Sequence, residues 1–180
     1  MRANRPNVLL GIFAAGWLLF SCNDSSNNPP AESPTLSDLW ISAGQIPGWT
    51  LDTNYRFLED LPVDTLYNAI DGGAESYKTN GLVDFNFETL SGSSPRQTDL
   101  LISDFGTDAK ARAFYDIRKY PDSLPGYPAS TATYTNLLGG ISTVFCKNKF
   151  VVELQFSGYD NLDSARSDAL VFCRYFDSKI

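Results

Sequence analysis

The chain has 180 residues, with 14 Lys and Arg against 21 Asp and Glu for a formal net charge of −7, and it has no histidine. The missing imidazole excludes histidine metal ligands, Ser/His/Asp triads and Cys/His pairs, leaving any chemistry to carboxylates, Tyr, Lys, Arg or Ser. The acidic balance makes nucleic acid a poor partner and disfavours direct adsorption to anionic lipid.

Residues 1–22, MRANRPNVLLGIFAAGWLLFSC, carry Arg2 and Arg5, an uncharged apolar run from Val8 to Phe20, then Ser21 and Cys22. That is the pattern of an export signal, and the run is shorter than the about 20 residues that span a bilayer as a helix. LFSC resembles the lipobox of bacterial lipoproteins, where cleavage precedes a cysteine that carries lipid. The resemblance implies a signal peptide over 1–21, lipidation of Cys22, and a lipid-anchored place in the bacterial cell envelope, outside the cytoplasm. The anchor is then the one expected membrane contact. An ordinary secretory signal that leaves Cys22 a free thiol is the alternative. The chain has three cysteines, and an exported protein needs a use for the odd one; lipidating Cys22 leaves Cys146 and Cys173 as a pair in an oxidising compartment. Loss of the signal removes two arginines and no acid, so the mature net charge is −9. Residues 22–38 read as the lipidated cysteine and a disordered tether, because Asn, Ser, Pro and acids around the aliphatic Leu36 bury too little apolar surface to offset ordering entropy. Its reach is about 20–25 Å. Residues 39–180 form a single domain.

Within the domain, IPGWTLDTNYRFLED opens on a Pro-Gly turn and predicts an irregular extended segment over 49–57. LPVDTLYNAIDGGAESYKTNG places Leu66, Ala69, Ile70, Ala74 and Tyr77 at spacings of three and four. The spacing predicts a helix capped by Asp64 and stopped at Asn80 and Gly81. LVDFNFETLSG alternates Val83, Phe85 and Phe87 with Asp84, Asn86 and Glu88, a half-buried strand. SSPR turns it into QTDLLISDFG, its antiparallel partner. TDAKARAFYDIRKY is a second helix, with Thr107 as N-cap and Asp108 where the helix dipole favours an anion. Its expected apolar face is Ala109, Ala113, Phe114 and Ile117. Residues 121–136 read as a long loop, a feature often functional in compact domains; Tyr120, Tyr127 and Tyr134 line a ligand site there or form a packing lid. GGISTVFCKNKFVVELQF is a hairpin turning at Lys147, Asn148 and Lys149, with Phe150, Val152, Leu154 and Phe156 toward the core. The last helix covers 162–178, with Ala165, Ala169, Phe172, Cys173 and Phe176 on one face.

The order β-α-β-β-α-β-β-α implies the α+β class, an antiparallel β-sheet covered by helices. A three-residue hairpin loop would pair Cys146 with Phe150 and turn it to the side that Cys173 faces. A Cys146–Cys173 disulfide is therefore expected, stabilising by about 3 kcal/mol in the chain-entropy model; two buried reduced thiols are the alternative.

Asp71 and Glu75 lie one helical turn apart, and Asp104 and Asp108 bracket the entrance to the second helix. Converging, they would bind a hard cation or work as an acid and base pair. Without an EF-hand pattern or fixed metal spacing, no metal centre, cofactor or catalytic set is expected, and Asp71, Glu75 and Asp104 remain the candidates if there is one. Gly72 and Gly73 admit three readings. A phosphate cradle would need them after a strand. A break between two short helices is the second. The expected reading is a helix face without side chains, allowing close approach at about 1 kcal/mol per glycine.

IPGW, LYNAIDGGAESY and SDFGTDAKARAFY resemble a family of uncharacterised bacterial exported proteins and lipoproteins. Its members carry a Pro-Gly-Trp entry and a Tyr-x-x-Ile-(Asp/Asn)-Gly-(Gly/Ala)-Ala-(Glu/Asp)-x-Tyr helix. An Asp-(Met/Phe)-Gly-(Ser/Thr) turn follows, here at Gly106, before an Ala-rich helix. The similarity covers Ile46 to Tyr115 and implies no particular chemistry. Many members continue through a second similar unit, and one unit is expected here. The element order is also similar to the PsbP/Mog1-like α/β/α sandwich, whose members are mostly accessory and assembly proteins. The expected function is a membrane-tethered, non-enzymatic accessory or binding module, its partner an envelope protein or a small ligand. The alternative is a carboxylate-based hydrolase or divalent-cation-binding protein using Asp71, Glu75 and Asp104.

Overall fold

A computed structural model describes residues 33–52, 63–70 and 73–180; the expected signal peptide, Cys22 and most of the tether lie outside them. The first described element is a 3-10 turn, Leu36–Leu39, in which the Asp38 carboxylate accepts the Thr35 N–H at 2.8 Å and hydroxyl at 2.6 Å. Leu36 and Leu39 are buried against the core, so the folded chain reaches back past residue 39 into the expected tether.

Then follow β1 (Thr50–Leu51), α1 (Leu66–Ala69), α2 (Ala74–Thr79), β2 (Asp84–Ser91), β3 (Gln97–Asp104), α3 (Asp108–Arg118), β4 (Asp122–Ser123), β5 (Ala132–Leu137), β6 (Gly140–Lys147), β7 (Phe150–Ser157) and α4 (Leu162–Lys179). The strands make one seven-stranded sheet in the order β1-β2-β3-β7-β6-β5-β4, antiparallel at every pairing. The class is α+β, as expected.

Side chains alternate between sheet faces, and each face has its own core. On one, Leu100, Ile102, Phe150, Val152, Leu154 and Phe156 pack with Ala165, Ala169, Phe172, Cys173 and Phe176 of α4. Trp49 joins them, edge-on to Phe156 at 5.9 Å and to Phe172 at 5.2 Å between ring centroids, so the Pro-Gly-Trp entry anchors the chain onto α4. On the other, Phe85, Leu101, Val144, Cys146 and Val151 pack with Tyr77 of α2 and with Ala111, Phe114 and Tyr115 of α3. Gly106 turns β3 into α3 at φ +73, a backbone conformation that suits glycine.

Because helices cover both faces, β2 is not half-buried: Asn86 and Glu88 are inside as well as Phe85. The buried face of α3 is Ala111, Phe114 and Tyr115, whereas Ala109, Ala113 and Ile117 of the expected face are exposed, apart from Phe114. Three alanines offer little apolar contrast, so the large Phe114 and Tyr115 rings set the rotation. Of the expected extended segment, Thr50 and Leu51 pair with Ser91 and Leu90; residues 53–57 lie outside the described ones. The expected loop over 121–136 contains β4 and most of β5, paired with each other.

The β6–β7 loop has two residues, not three: Lys147 pairs with Phe150 and Cys146 with Val151, with Asn148 at φ 50. A slip of one residue moves a side chain to the opposite face of a sheet. Cys146 therefore lies under α3 and Cys173 under α4, both free and buried. This corrects the expected Cys146–Cys173 disulfide. Desolvation lifts the Cys146 thiol to about 11 and that of Cys173 to about 12.

Candidate functional site

Tyr67 to Tyr77 is not one helix. At Ile70 the backbone is extended, φ −133 and ψ 112, closing α1, and Gly73 stands at the N-cap of α2. The helix-break reading of the glycine stretch replaces the side-chain-free helix face; Asp71 and Gly72 lie outside the described residues. Asp64 does not cap a helix by its side chain but pairs with Lys78 of α2 at 2.5 Å. At the far end α2 stops at Asn80 and Gly81, as expected.

The structure does not bring the described acids of the expected site into one cluster. Glu75 accepts the Tyr67 hydroxyl at 2.5 Å, and that hydrogen bond holds its carboxyl below the ordinary carboxylate range. Asp104 is buried at the end of β3, on the α4 side of the sheet with Leu100 and Ile102 by alternation, accepting the Gly106 N–H and the Lys149 ammonium, each at 2.7 Å. It ties the β3–α3 turn to the β6–β7 hairpin. Asp108 is exposed in the first turn of α3. Among the described residues no group of three Asp, Glu or Cys side chains is placed to hold a metal ion. The three loop tyrosines do not meet either. Tyr127 packs edge-on to Phe145 and Tyr134 lies under Arg166, both on the α4 face, while Tyr120 belongs to the α3 face.

The structure instead joins residues that sequence spacing does not single out. Helices α2 and α3 cover the part of their sheet face near Phe85, Val151 and Cys146. Past that edge the cross-strand row Thr89, Asp99, Gln155 and Ser142 is polar. Gln155 is exposed although β7 is the middle strand of seven, so nothing described covers the centre of the sheet there. A cleft of about 250 Å³ opens at this edge, bounded by Ile70, Phe87, Leu101, Tyr120, Gln155 and Ser142, together with Tyr77, Arg118 and Glu153.

Those last three form one network. Arg118 donates to Glu153 Oε1 from Nε at 2.9 Å and from Nη2 at 2.7 Å. Its guanidinium also lies over the Tyr77 ring, and the Tyr77 hydroxyl donates to Glu153 Oε2. Burial first, then the Glu153 charge and this hydrogen bond, push the Tyr77 hydroxyl far above its ordinary range, so it stays a donor. Arg118 extends the buried face of α3 by the spacing 111, 114 and 115, 118; that register was the one available signal. Glu153 alternates with the core-facing Val152 and Leu154, a pattern that reads as solvent-facing on a sheet covered on one side.

No protein-family model and no curated protein matches the chain. Its fold is similar to that of the extracellular domain of PknH from Mycobacterium tuberculosis, with a TM-score of 0.49 and 14% sequence identity over 82% of this chain and 98% of that one.

Proposed function

We propose that the chain is a membrane-tethered lipoprotein of the bacterial cell envelope, lipidated at Cys22, that acts as a non-enzymatic binding module. In this reading it belongs with the exported family and the PsbP/Mog1-like sandwiches that its motifs and element order resemble, and its ligand enters the cleft at the centre of the sheet. The export signal and the LFSC lipobox support the location and the anchor. Among the described residues no helix is long and apolar enough to cross a membrane.

One observation carries the binding reading. The Arg118 and Glu153 charges at the cleft are spent on each other, with Tyr77 on the second Glu153 oxygen, and the Asp99 carboxylate beside them already accepts the Thr89 hydroxyl at 2.8 Å. A general base or nucleophile needs a carboxylate directed at the reactant. The amide of Gln155 and the hydroxyl of Ser142, by contrast, have no side-chain partner among the described residues. Such groups gain from a ligand that supplies one.

Fatty-acid labelling of the full chain in cells tests the anchor. Label is expected on the wild type and absent from Cys22→Ser; a Cys22→Ser chain that keeps the label overturns it. Turnover of an ester, glycoside or phosphate substrate by the wild type, lost in Glu153→Gln, would overturn the non-enzymatic reading.

A further inference from the structure

We infer that the ligand of the central cleft is a neutral polyhydroxylated ring, a saccharide of one or two sugar units; this rests on the cleft being a binding site. Size sets the first limit. At about 250 Å³ the cleft lies below the roughly 300–1,000 Å³ of sites for drug-sized ligands, so its occupant is small.

Charge sets the second. Arg118 and Glu153 cancel each other, which leaves Asp99, whose carboxylate already accepts the Thr89 hydroxyl at 2.8 Å. An anion would meet that carboxylate without an unpaired cation to answer it among the described residues that line the cleft. A cation would satisfy Asp99 and leave the remaining polar groups unmatched, a cost wherever a ligand excludes water from them.

The hydrogen-bond inventory makes the choice. Gln155 offers a donor and an acceptor, Ser142 and Tyr120 offer hydroxyls, Asp99 accepts, and Arg118 keeps Nη1 uncommitted among the described residues. Donors and acceptors therefore both line one small space. An alcohol group both donates and accepts, so an array of hydroxyls satisfies every member; a phosphate oxygen only accepts and an ammonium only donates. Beside this array Phe87, Leu101 and Ile70 give the cleft an apolar side. A sugar ring has the matching anatomy, with hydroxyls on its rim and C–H groups on its face, the latter suited to aromatic and aliphatic surface.

The test is saturation-transfer difference NMR on the full chain, held in a detergent without a sugar headgroup. The saccharide probes are glucose, N-acetylglucosamine and an N-acetylglucosamine tetramer; glutamate and choline serve as anionic and cationic comparators. Ring-proton signals are expected from the saccharides. They should weaken at least tenfold in Gln155→Trp, which fills the cleft from an exposed position, and severalfold in the milder Ser142→Ala. Thermal melting confirms that each variant is folded. Signal from the single sugars shows that a free sugar suffices, whereas signal from the tetramer alone assigns the site to a glycan chain; either result upholds the inference. Choline or glutamate bound in place of saccharide and blocked by Gln155→Trp overturns the ligand class while leaving the binding cleft intact. Saccharide signal unchanged in both variants overturns its location, and no signal from any probe overturns the inference and the binding reading together.

Discussion

Replacing Glu153 by Gln keeps the side-chain shape, removes one charge, and asks whether that carboxylate holds Arg118 and Tyr77 at the rim of the cleft. The Glu153 side chain is 13% exposed and that of Arg118 41%, so the pair lies between two limits. An exposed pair contributes about 0.2–1 kcal/mol, whereas removing one partner of a buried pair costs about 3–5 kcal/mol. The Tyr77 hydrogen bond to a charged acceptor is worth about 1.5–3 kcal/mol, and a Gln side-chain oxygen retains part of it. The expected loss for Glu153→Gln is therefore about 2 kcal/mol at neutral pH. Urea unfolding of the wild type, Glu153→Gln, Arg118→Met and the double variant closes a thermodynamic cycle. A coupling of about 1 kcal/mol between the two positions is expected. A coupling under about 0.3 kcal/mol, within the additivity of independent sites, would refute the claim that these residues act as one network.

Unfolded without reductant, the chain with Cys22 replaced by Ser should titrate two thiols, Cys146 and Cys173, and in the native state neither, because both are buried and free; an unfolded chain with no titratable thiol would revive the bridge. Alkaline pH should destabilise the fold from about pH 9 upward. The buried thiols hold their protons to about 11 and 12 while the unfolded chain releases them near their ordinary value. Stability from each is thus full below the unfolded pKa, falls by up to about 1.4 kcal/mol per pH unit above it, and stops falling above the folded pKa. Urea midpoints at pH 8 and pH 10 measure this, and a profile whose slope Cys173→Ala leaves unchanged contradicts the sign. Gly140→Ala should cost about 3 kcal/mol or more, since a Cβ there would stand 1.9 Å from the Phe156 carbonyl oxygen; an unchanged urea midpoint would show that the β6–β7 pairing yields there. Trp49→Ala should cost about 3–5 kcal/mol through its lost contacts with Phe156 and Phe172, and a thermal midpoint within a few degrees of the wild type would contradict the anchoring of the Pro-Gly-Trp entry.

The elements most legible in the sequence were those whose signals are local and redundant. For α4, five apolar residues at spacings of three and four mark the buried face, all of them inside. Its start is held by the Asn161 side chain, which accepts the Asp163 N–H at 2.8 Å. The alternation Phe150, Val152, Leu154 and Phe156 placed one face of β7 for the same reason. Where the signal was weak or shared between two structures, the reading went astray. Ala109, Ala111 and Ala113 hardly distinguish one rotation of α3 from another. The spacing of Leu66, Ile70, Ala74 and Tyr77 suits one helix or two short ones. A hairpin loop of two residues or three leaves the same pattern around KNK while sending Cys146 to opposite faces.

The list of available chemistry and the runs of apolar periodicity can be read without the fold, because both are local to the chain. Without histidine, and with acids in excess, the functional groups are limited before any folding is considered. Which of those groups meet is set by the packing of distant elements. Tyr77, Arg118 and Glu153 come from α2, the end of α3 and the middle strand of the sheet, and no spacing along the chain relates them. Their meeting follows from antiparallel registers and from where α2 and α3 stop covering the sheet. Those are long-range outcomes of packing two helical layers on one sheet, and among the described residues they leave nothing over its centre beside Gln155.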